Sequence, residues 1–313
     1  MLRNYYFERL NKEDKQVYSA LLSGYAVRKD KIKVGTFPSA AVVEALNYEH
    51  PELYYVNLKV VQQLSVAYEK YIVPEYFYTV MECKQIEEYA KTIATNCITQ
   101  DAEMTVRNLH NYLVKNVSYD ESEIDVFAEY KRENHTMAGV FRDKQGVCEG
   151  IAKAFSYMLS VCNIDNVCVS GMLQNEQHLW NVVNIYGYNY HVDVTADIGG
   201  TRKKDKKPCY FYYLVTDAEI KVDHIFHERF NCYQTEANPF YANSRVFYSK
   251  QELNAFLSSV SRFKRTVYFK YLGNDMNENA MFNFVANILP ISLISCKLEM
   301  RHNTANTIFY FYR

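Results

Sequence analysis

Hydrophobic residues recur every three to four positions in several segments, which is the spacing of an amphipathic helix. Asn11 and Ser39 are residues that favour the position before a helix, and Pro51 favours a stop after the second one. The pattern predicts helices at 11–25, from Ser39 to Leu46, at about 82–97, at 101–116, at 151–159 and at 250–260.

Shorter runs rich in Val, Ile, Tyr and Phe are typical of β-strands. They predict strand character within 53–80, first at Leu53–Val56 and later at Tyr71–Val73. They also predict strands at 178–185, 188–195, 210–215, 266–273 and 291–312. Pro and Gly are too sparse for a long flexible linker, so we expect the regions to pack together. We expect an α+β fold with an N-terminal α+β region at 1–98, a core at 99–217 and a C-terminal α+β region at 218–313.

Tyr186-Gly187 suits a two-residue turn between the strands at 178–185 and 188–195, so that these strands form a hairpin. If residue 185 pairs with 188, then 180 pairs with 193 and 178 pairs with 195. Because side chains alternate between the faces of a sheet, one face carries three candidate residues: His178, Trp180 and Asp193. His178 and Asp193 are then diagonal cross-strand neighbours within side-chain reach.

Cys148 stands directly before the helix predicted at 151–159. The positive end of a helix and a neighbouring imidazolium both favour the thiolate form of a cysteine. Gly146 and Gly150 flank the thiol, and we expect them to let the backbone turn sharply from loop into helix. The N–H of Cys148 would then be free to donate to a developing oxyanion.

A thiol at a helix start, followed by a histidine and an aspartate on consecutive strands, is the layout that a cysteine nucleophile needs. In this interpretation His178 activates Cys148, and Asp193 orients His178. Taken singly, a cysteine is most often a small core residue and a histidine a hydrogen-bonded structural one; the joint placement favours a catalytic triad. His191 is the best rival base, but it lies two residues along the strand from Asp193, which cannot easily sit behind it.

The same segments resemble the transglutaminase-like superfamily of cysteine enzymes, which includes transglutaminases, peptide N-glycanases and bacterial proteases. The resemblance covers residues from about 105 to 217, with the spacing of compact bacterial members. The segments that carry the resemblance are His110–Asp120, Ala138–Phe141, Gly146–Gly150, Val169–Gly171, His178–Val183 and Tyr190–Thr195.

This resemblance implies a papain-like α+β core, in which the nucleophile helix packs on an antiparallel sheet. It implies Cys148 as the nucleophile, His178 as the base and Asp193 as its partner. Tyr119 is a candidate second oxyanion donor, and the alternative for it is a tyrosine that ends a helix and packs on the core. Trp180 is a candidate for the substrate groove.

The implied reaction is acyl transfer on an amide. Compact bacterial members are more often protease-like, so peptide hydrolysis is the expected outcome. Two alternatives stay open: a cross-linking transglutaminase that passes the acyl group to an amine, and a non-catalytic member that binds peptide or glycan.

Composition narrows the classes of partner. The chain has 313 residues, of which 49% are hydrophobic, enough for a well-filled core and more than one domain. A net charge of −1 gives no electrostatic reason to expect nucleic acid or a membrane surface, so the expected partner is a protein or peptide substrate. The basic run at 202–207 is most simply a solvated loop over the rim of the site, with a preference for acidic substrates as the alternative.

Eight cysteines without a CxxC motif indicate neither a zinc knuckle nor a thioredoxin-type site. Asp223, His224 and His227 have a spacing that could touch a metal, but HExxH is absent, and we expect no metal and no cofactor. The N-terminus lacks a long apolar run, and no stretch approaches the ~20 apolar residues of a membrane helix. We therefore expect a cytoplasmic protein, or a secreted one if a leader has been removed.

Overall fold

A computed structural model describes residues 2–59, 61–124, 131–200, 208–260, 267–289, 297–302 and 307–312. The basic run at 202–207 lies outside the described residues. So do the first residues of the strands expected at 266–273 and 291–312.

The described part contains eleven α-helices, and the six that were predicted begin and end close to their predicted positions. The eleven helices are α1 (Lys12–Ala26), α2 (Ala40–Glu49), α3 (Val80–Cys97), α4 (Ala102–Asn116), α5 (Met137–Arg142), α6 (Cys148–Val161), α7 (Val194–Gly200), α8 (Asp217–Ile220), α9 (Pro239–Ala242), α10 (Lys250–Ser259) and α11 (Glu278–Ile288). The Asn11 and Ser39 side chains accept hydrogen bonds from the first turns of α1 and α2, as predicted. Helices α5, α7, α8, α9 and α11 were not among the predicted helices.

The strands of the described residues form four sheets. They are β1 (Ile32–Val34), β2 (Gln62–Val66), β3 (Glu69–Val73), β4 (Ser118–Tyr119), β5 (Gln145–Gly146), β6 (Asn166–Leu173), β7 (Glu176–Ile185), β8 (Tyr188–Val192), β9 (Tyr213–Val215), β10 (His224–Ile225), β11 (Val246–Phe247), β12 (Tyr268–Tyr271), β13 (Lys297–His302) and β14 (Thr307–Tyr312).

The central sheet has five antiparallel strands in the order β10-β6-β7-β8-β9. Its β7–β8 hairpin turns through Tyr186 and Gly187, whose φ angles are 55° and 88°. Positive φ at both central residues is what a type I′ hairpin turn requires. Ile185 pairs with Tyr188, so the predicted register is confirmed.

The strand predicted at 188–195 is wrong after Val192. Asp193 ends it, because its side-chain Oδ1 accepts a hydrogen bond of 3.0 Å from the N–H of Ala196 and so caps the first turn of α7. The main chain of Asp193 still donates to the carbonyl of Tyr212, at 3.0 Å. Asp193 therefore sits at a fixed junction between strand and helix.

Helix α6 runs through the core, in contact with β6 and β7 on one side and with α3, α4 and α5 on the other. The apolar face expected for it is buried: Ile151, Ala154, Phe155, Met158 and Leu159. The rest of the helix is covered as well, since Ala152 packs against Cys168 and Leu179 of the sheet. A helix enclosed on all sides holds its first residue in a fixed place.

The N-terminal region packs α1 and α2 against the small antiparallel sheet β1-β3-β2. A strand at Leu53–Val56 was expected, and this expectation is wrong. Pro51 begins a short 3-10 helix there, Pro51–Leu53, because its fixed φ suits a helix start. The strand character expected at Tyr71–Val73 is observed in β3, which pairs with β2.

The C-terminal region contains a four-stranded sheet, β11-β12-β14-β13, with α10 and α11 packed beside it. A buried ion pair between Lys270 of β12 and Glu219 of α8 links this sheet to the central part of the protein. The α+β fold class, with α6 on an antiparallel sheet, is confirmed; the region boundaries at 98/99 and 217/218 stay predictions. Across the described ranges, no helix combines the length and apolar character needed to span a membrane.

Candidate active site

Cys148 is the first residue of α6, and its side chain is half-buried. The residue before it is anchored, because the N–H of Val147 donates to the carbonyl oxygen of Asn134 at 3.0 Å. The first N–H groups of a helix have no acceptor within the helix and point outward. Cys148 therefore presents its thiol together with hydrogen-bond donors and the positive end of the helix dipole.

The glycines around Cys148 serve close packing, not the sharp turn that was expected of them. Among the described glycines only Gly187 has a positive φ. A Cβ at Gly150 would lie 2.2 Å from the carbonyl oxygen of Asn134, and one at Gly146 would lie 3.0 Å from the side chain of Val140. Gly150 thus lets α6 begin directly against the segment that anchors it.

His178 of β7 and Asp193 form a buried pair behind the thiol. Their side chains are joined by a hydrogen bond of 2.7 Å from Nε2 of His178 to Oδ2 of Asp193. This bond leaves Nδ1 of the ring for Cys148, which lines the same groove as His178 and interacts with it electrostatically. The Cys148 Sγ also lies 4.0 Å from the carbonyl oxygen of Gln177. The structure brings together the three residues that the sequence singled out.

The electrostatics of the pair favour a charged histidine. Burial alone would lower the pKa of His178, but the charge and hydrogen bond of Asp193, together with Cys148, raise it to about 10. Burial would raise the pKa of Asp193, yet the histidines beside it hold that pKa well below its usual range. The arrangement is an imidazolium–carboxylate pair, and an imidazolium next to a thiol stabilises the thiolate.

A second histidine, His224 of β10, also contacts the triad aspartate and was missed as a site residue. Its Nε2 lies 3.1 Å from the same Oδ2 of Asp193, and its Nδ1 lies 2.7 Å from Oδ1 of Asp223. His224 is separated from Asp193 by 31 positions. Only the sheet order, which places β10 next to β6, brings the two together, so no local pattern could have shown it.

Asp223, His224 and His227 have a sequence spacing that could suit a metal, but their side chains do not come together as one group among the described residues. Two other groups there have side chains close enough to share an ion: His178 with Asp193 and His224, and His191 with Asp217 and Cys232. In the first group, hydrogen bonds already join both histidines to the carboxylate. The geometry is that of a hydrogen-bonded cluster.

His191, the rival base, is fully buried and is engaged at both ring nitrogens. Its Nδ1 accepts a hydrogen bond of 3.0 Å from Nε1 of Trp180, and its Nε2 lies 2.8 Å from Oδ1 of Asp217. Burial lowers its pKa, with Asp217 opposing. His191 therefore has a carboxylate partner of its own and does not face the thiol.

Trp180 does not line the groove, and the prediction that placed it there is wrong. It shares a face with His178, as the strand parity required, but only 1% of its surface is exposed. Its ring stacks on His178, with centroids 6.1 Å apart and planes at 21°. The sheet face that Trp180 shares with His178 is buried at Trp180. Trp180 therefore supports the His178 ring from the core side.

A groove of about 620 Å³ opens over Cys148 and His178. Its walls come from α2, α6, β4, β7 and the segments between them, and the lining includes Tyr48, Tyr119, His135, Ser170, Glu176 and Gln177. Tyr119 lies on β4, where it pairs with Gly146 of β5, just before the thiol. This placement is compatible with the predicted oxyanion role of Tyr119, which stays a prediction.

Glu149 follows Cys148 and forms part of the groove wall as the centre of a charge cluster. Its carboxylate lies 2.8 Å from Nζ of Lys153, 3.2 Å from Nζ of Lys59 and 3.0 Å from Nδ1 of His135. Burial would raise its pKa, but these neighbours lower it well below the usual range. Glu149 therefore holds three positively charged or titratable side chains beside the thiol.

Residues 87–195 match the family model of the transglutaminase-like superfamily. This stretch includes Cys148, His178 and Asp193, so the predicted resemblance is confirmed and the chain contains a domain of this superfamily. A search of the curated proteins finds no match.

Several solved structures are similar to the chain. A TGase is 10% identical with a TM-score of 0.36, over 55% of this chain and 52% of its own. A candidate cysteine protease from Cytophaga hutchinsonii is 11% identical with a TM-score of 0.28, over 44% of this chain and 61% of its own. A candidate protease from Parabacteroides distasonis is 8% identical with a TM-score of 0.28, over 79% of this chain and 55% of its own. The chain thus spans between about half and three fifths of the length of these proteins.

Proposed function

We propose that the transglutaminase-like domain at residues 87–195 is a cysteine acyl-transfer enzyme that acts on an amide substrate, with peptide hydrolysis as its reaction. The observation that carries this proposal is the pair His178–Asp193, hydrogen-bonded at 2.7 Å, behind a thiol at the start of a helix. The base and its orienting group are joined by a hydrogen bond, and the nucleophile lines the same groove as the base, which is the order of groups that this chemistry requires.

In the proposed first half-reaction, His178 holds the proton of the Cys148 thiol, and the thiolate attacks the carbonyl carbon of the amide. The oxyanion of the tetrahedral intermediate accepts hydrogen bonds from the N–H of Cys148 and from the Tyr119 hydroxyl. As the C–N bond breaks, His178 gives its proton to the departing amine. The product is a thioester on Cys148 and a free amine.

In the second half-reaction, His178 takes a proton from water, and the resulting hydroxyl attacks the thioester carbonyl. The C–S bond breaks, the carboxylic acid leaves, and the proton returns to the sulfur. Asp193 keeps the ring in one orientation and stabilises its charged form in both steps.

Hydrolysis is favoured over transfer to an amine because the groove is open and the thiol is half-exposed, so water reaches the thioester. The electrostatic interaction between Cys148 and His178, which line one groove, supports catalysis over a binding-only role. A role in the cytoplasm is part of the proposal: the cysteines in the described part of the chain are free thiols, as a reducing compartment maintains them.

The first test is the rate at which iodoacetamide alkylates Cys148 over about pH 5–10, located by peptide mass mapping, in wild type and in His178→Ala. We expect fast labelling at about pH 6, where an ordinary thiol is protonated, and slow labelling in the variant. Cys97 and Cys162 are half-buried internal controls, since burial raises the pKa of each, that of Cys162 to about 11. Labelling of Cys148 that follows an ordinary thiol in both proteins contradicts the proposal.

The second test separates hydrolysis from transfer. Wild type and Cys148→Ala are incubated with a mixture of peptides, with and without a fluorescent primary amine, and the products are identified by mass spectrometry. Cys148-dependent cleavage supports hydrolysis. Cys148-dependent incorporation of the amine, without cleavage, overturns hydrolysis in favour of cross-linking.

A further inference from the structure

We infer that His224, backed by Asp223, is a positioning residue of the triad: it holds the Asp193 carboxylate in place for His178 and sets a second positive charge beside it. This inference rests on the proposed function, because it gives His224 a part in the same reaction. His224 itself lies behind Asp193, in the core.

The geometry closes into a ring of buried contacts. His224 bonds to the side chain of Asp193 at 3.1 Å and to Asp223 at 2.7 Å. The other carboxylate oxygen of Asp223 accepts from the Tyr212 hydroxyl at 2.7 Å. The main-chain carbonyl oxygen of Tyr212 in turn accepts a hydrogen bond of 3.0 Å from the main-chain N–H of Asp193. Asp193 is therefore held from its side chain and its main chain by one connected network.

The contacts of this network favour the doubly protonated, positively charged form of His224. Both ring nitrogens of His224 face carboxylate oxygens, and a carboxylate accepts hydrogen bonds but donates none. A neutral imidazole has a single N–H, so it satisfies one of the two contacts only. The imidazolium satisfies both, and it is buried between two carboxylates that compensate its charge.

A second cation on Asp193 has a direct consequence for His178. The two rings share Oδ2 of Asp193, and their centroids are 5.5 Å apart. Like charges at this distance disfavour each other, so His224 weakens the hold of the Asp193–His178 pair on its proton. A base held too tightly by its aspartate is a poor acid for the departing amine; His224 moderates that hold.

The charged and titratable groups that face His224 come from several elements. They are Asp193, Asp223 and His178, the ring of Tyr212, and His191, on which Lys221 also acts. Burial keeps His191 neutral, because it lowers the pKa of that ring. His224 is thus the second positively charged ring, besides His178, that contacts the Asp193 carboxylate.

The test uses the full chain labelled with ¹³Cε1-histidine, in which the pH midpoint of each ring is read by NMR. The signal of His178 is assigned by its loss in His178→Ala. The variant is His224→Gln with Asp223→Asn, which keeps hydrogen-bonding side chains at both positions but removes the charges. The control is His191→Gln, which replaces a buried neutral histidine that has its own aspartate.

We expect the His178 midpoint to rise by about one pH unit in the double variant and to stay unchanged in the control. An unchanged midpoint in a folded double variant overturns the inference, since a merely structural His224 would leave the titration of His178 as it is. If the double variant does not fold, Asp223→Asn alone decides. It removes the negative charge that stabilises the second proton on His224 and shifts the midpoint in the same direction.

Failure of this inference is distinguishable from failure of the proposed function. If His178→Ala leaves the alkylation of Cys148 unchanged, the proposed function fails whatever the titration shows. If alkylation depends on His178 while the midpoint is the same with and without His224, only the positioning role of His224 is overturned.

Discussion

Gly150 packs its Cα directly against the main-chain carbonyl of Asn134: a Cβ at this position would lie 2.2 Å from that oxygen. The same oxygen accepts the N–H of Val147 at 3.0 Å, so one carbonyl fixes the entry into α6 on both sides of Cys148. Asn134 is buried, and its side chain donates to Asp120 at 2.5 Å. The position of the thiol is therefore set by main-chain packing.

Gly150→Ala is predicted to destabilise the protein and to displace Cys148. A methyl group meets backbone atoms of Asn134 and Thr136, which cannot rotate away, and overpacking of this kind costs about 1–3 kcal/mol. The matched control is Gly199→Ala in α7, where a Cβ has nothing within 4 Å. Urea unfolding and Cys148 alkylation measure both effects; equal stability of the two variants would contradict the close packing.

Cys148→Ala is predicted to abolish turnover while the free energy of unfolding stays within about 1 kcal/mol of wild type. The side chain is half-exposed and makes one long contact with Gln177, so its removal leaves no buried cavity. His178→Ala is predicted to be nearly as inactive, and Asp193→Ala to lower the rate less. Thermal unfolding and peptide cleavage are the measurements. Unfolding of Cys148→Ala, with activity lost only in His191→Ala, would show that the roles are wrongly assigned.

The parts of the site that follow from local rules were predictable from the sequence. The turn at Tyr186-Gly187 fixes the hairpin register, and the register fixes which side chains share a face. The caps of α1 and α2 follow from residue types. Cys148 at the start of α6 follows from the apolar spacing that comes after it.

The parts that depend on tertiary packing were not predictable. Strand parity places Trp180 on the face of His178, but whether that face is open or covered depends on distant segments; Phe226, for example, packs on the Trp180 ring with centroids 5.5 Å apart. The need for Gly150 arises from a carbonyl of a separate segment. His224 reaches Asp193 only through the sheet order. Each of these contacts joins segments that no local pattern relates.

The ion pair of His178 predicts a loss of stability as the pH rises. An unfolded histidine releases its proton near pH ~6.5, whereas in the folded protein the pKa is raised to about 10. Stability from this group is fully present below pH ~6.5 and is lost as the pH rises towards the folded value, by at most about 1.4 kcal/mol per pH unit.

The measurement is the free energy of urea unfolding between about pH 6 and 10, as the difference between wild type and His178→Gln. The difference removes the contribution of other groups, such as Cys97 and Cys162, whose pKa values burial raises. A difference that is flat with pH would mean that His178 is not charged in the folded protein. Asp193 affects the acid end of the pH range. Because its pKa in the folded protein is depressed, the stability that it contributes is lost only in acid.

Glu149→Gln is predicted to destabilise the protein by about 3 kcal/mol, because it leaves the ammonium of Lys153 buried without a counter-charge. Among the described residues outside the helix, only the amide oxygen of Asn47, at 2.7 Å, remains as a strong partner of Lys153. Adding Lys153→Met removes the unpaired charge and should restore most of the loss.

The control for this pair is Glu87→Gln in α3, which breaks a salt bridge of 3.3 Å to Lys91 with the same spacing along a helix. That pair is more exposed, so we expect a change below about 0.5 kcal/mol. The measurement for all three variants is the midpoint of urea unfolding. Equal effects at Glu87 and Glu149 would show that the cluster at the groove behaves as ordinary surface charge.

Tyr119→Phe is predicted to separate two reactions of the same thiol. Acylation by p-nitrophenyl acetate passes through an oxyanion, and loss of one donor to it slows the step about a hundredfold. Alkylation by iodoacetamide is a substitution at a CH₂ group, forms no oxyanion and should keep its rate. Tyr48→Phe, at a second tyrosine of the groove, is the control and should change neither rate. If both reactions slow together in Tyr119→Phe, the Tyr119 hydroxyl acts on the thiol or on the fold. If Tyr48→Phe alone slows acylation, the oxyanion donor is Tyr48.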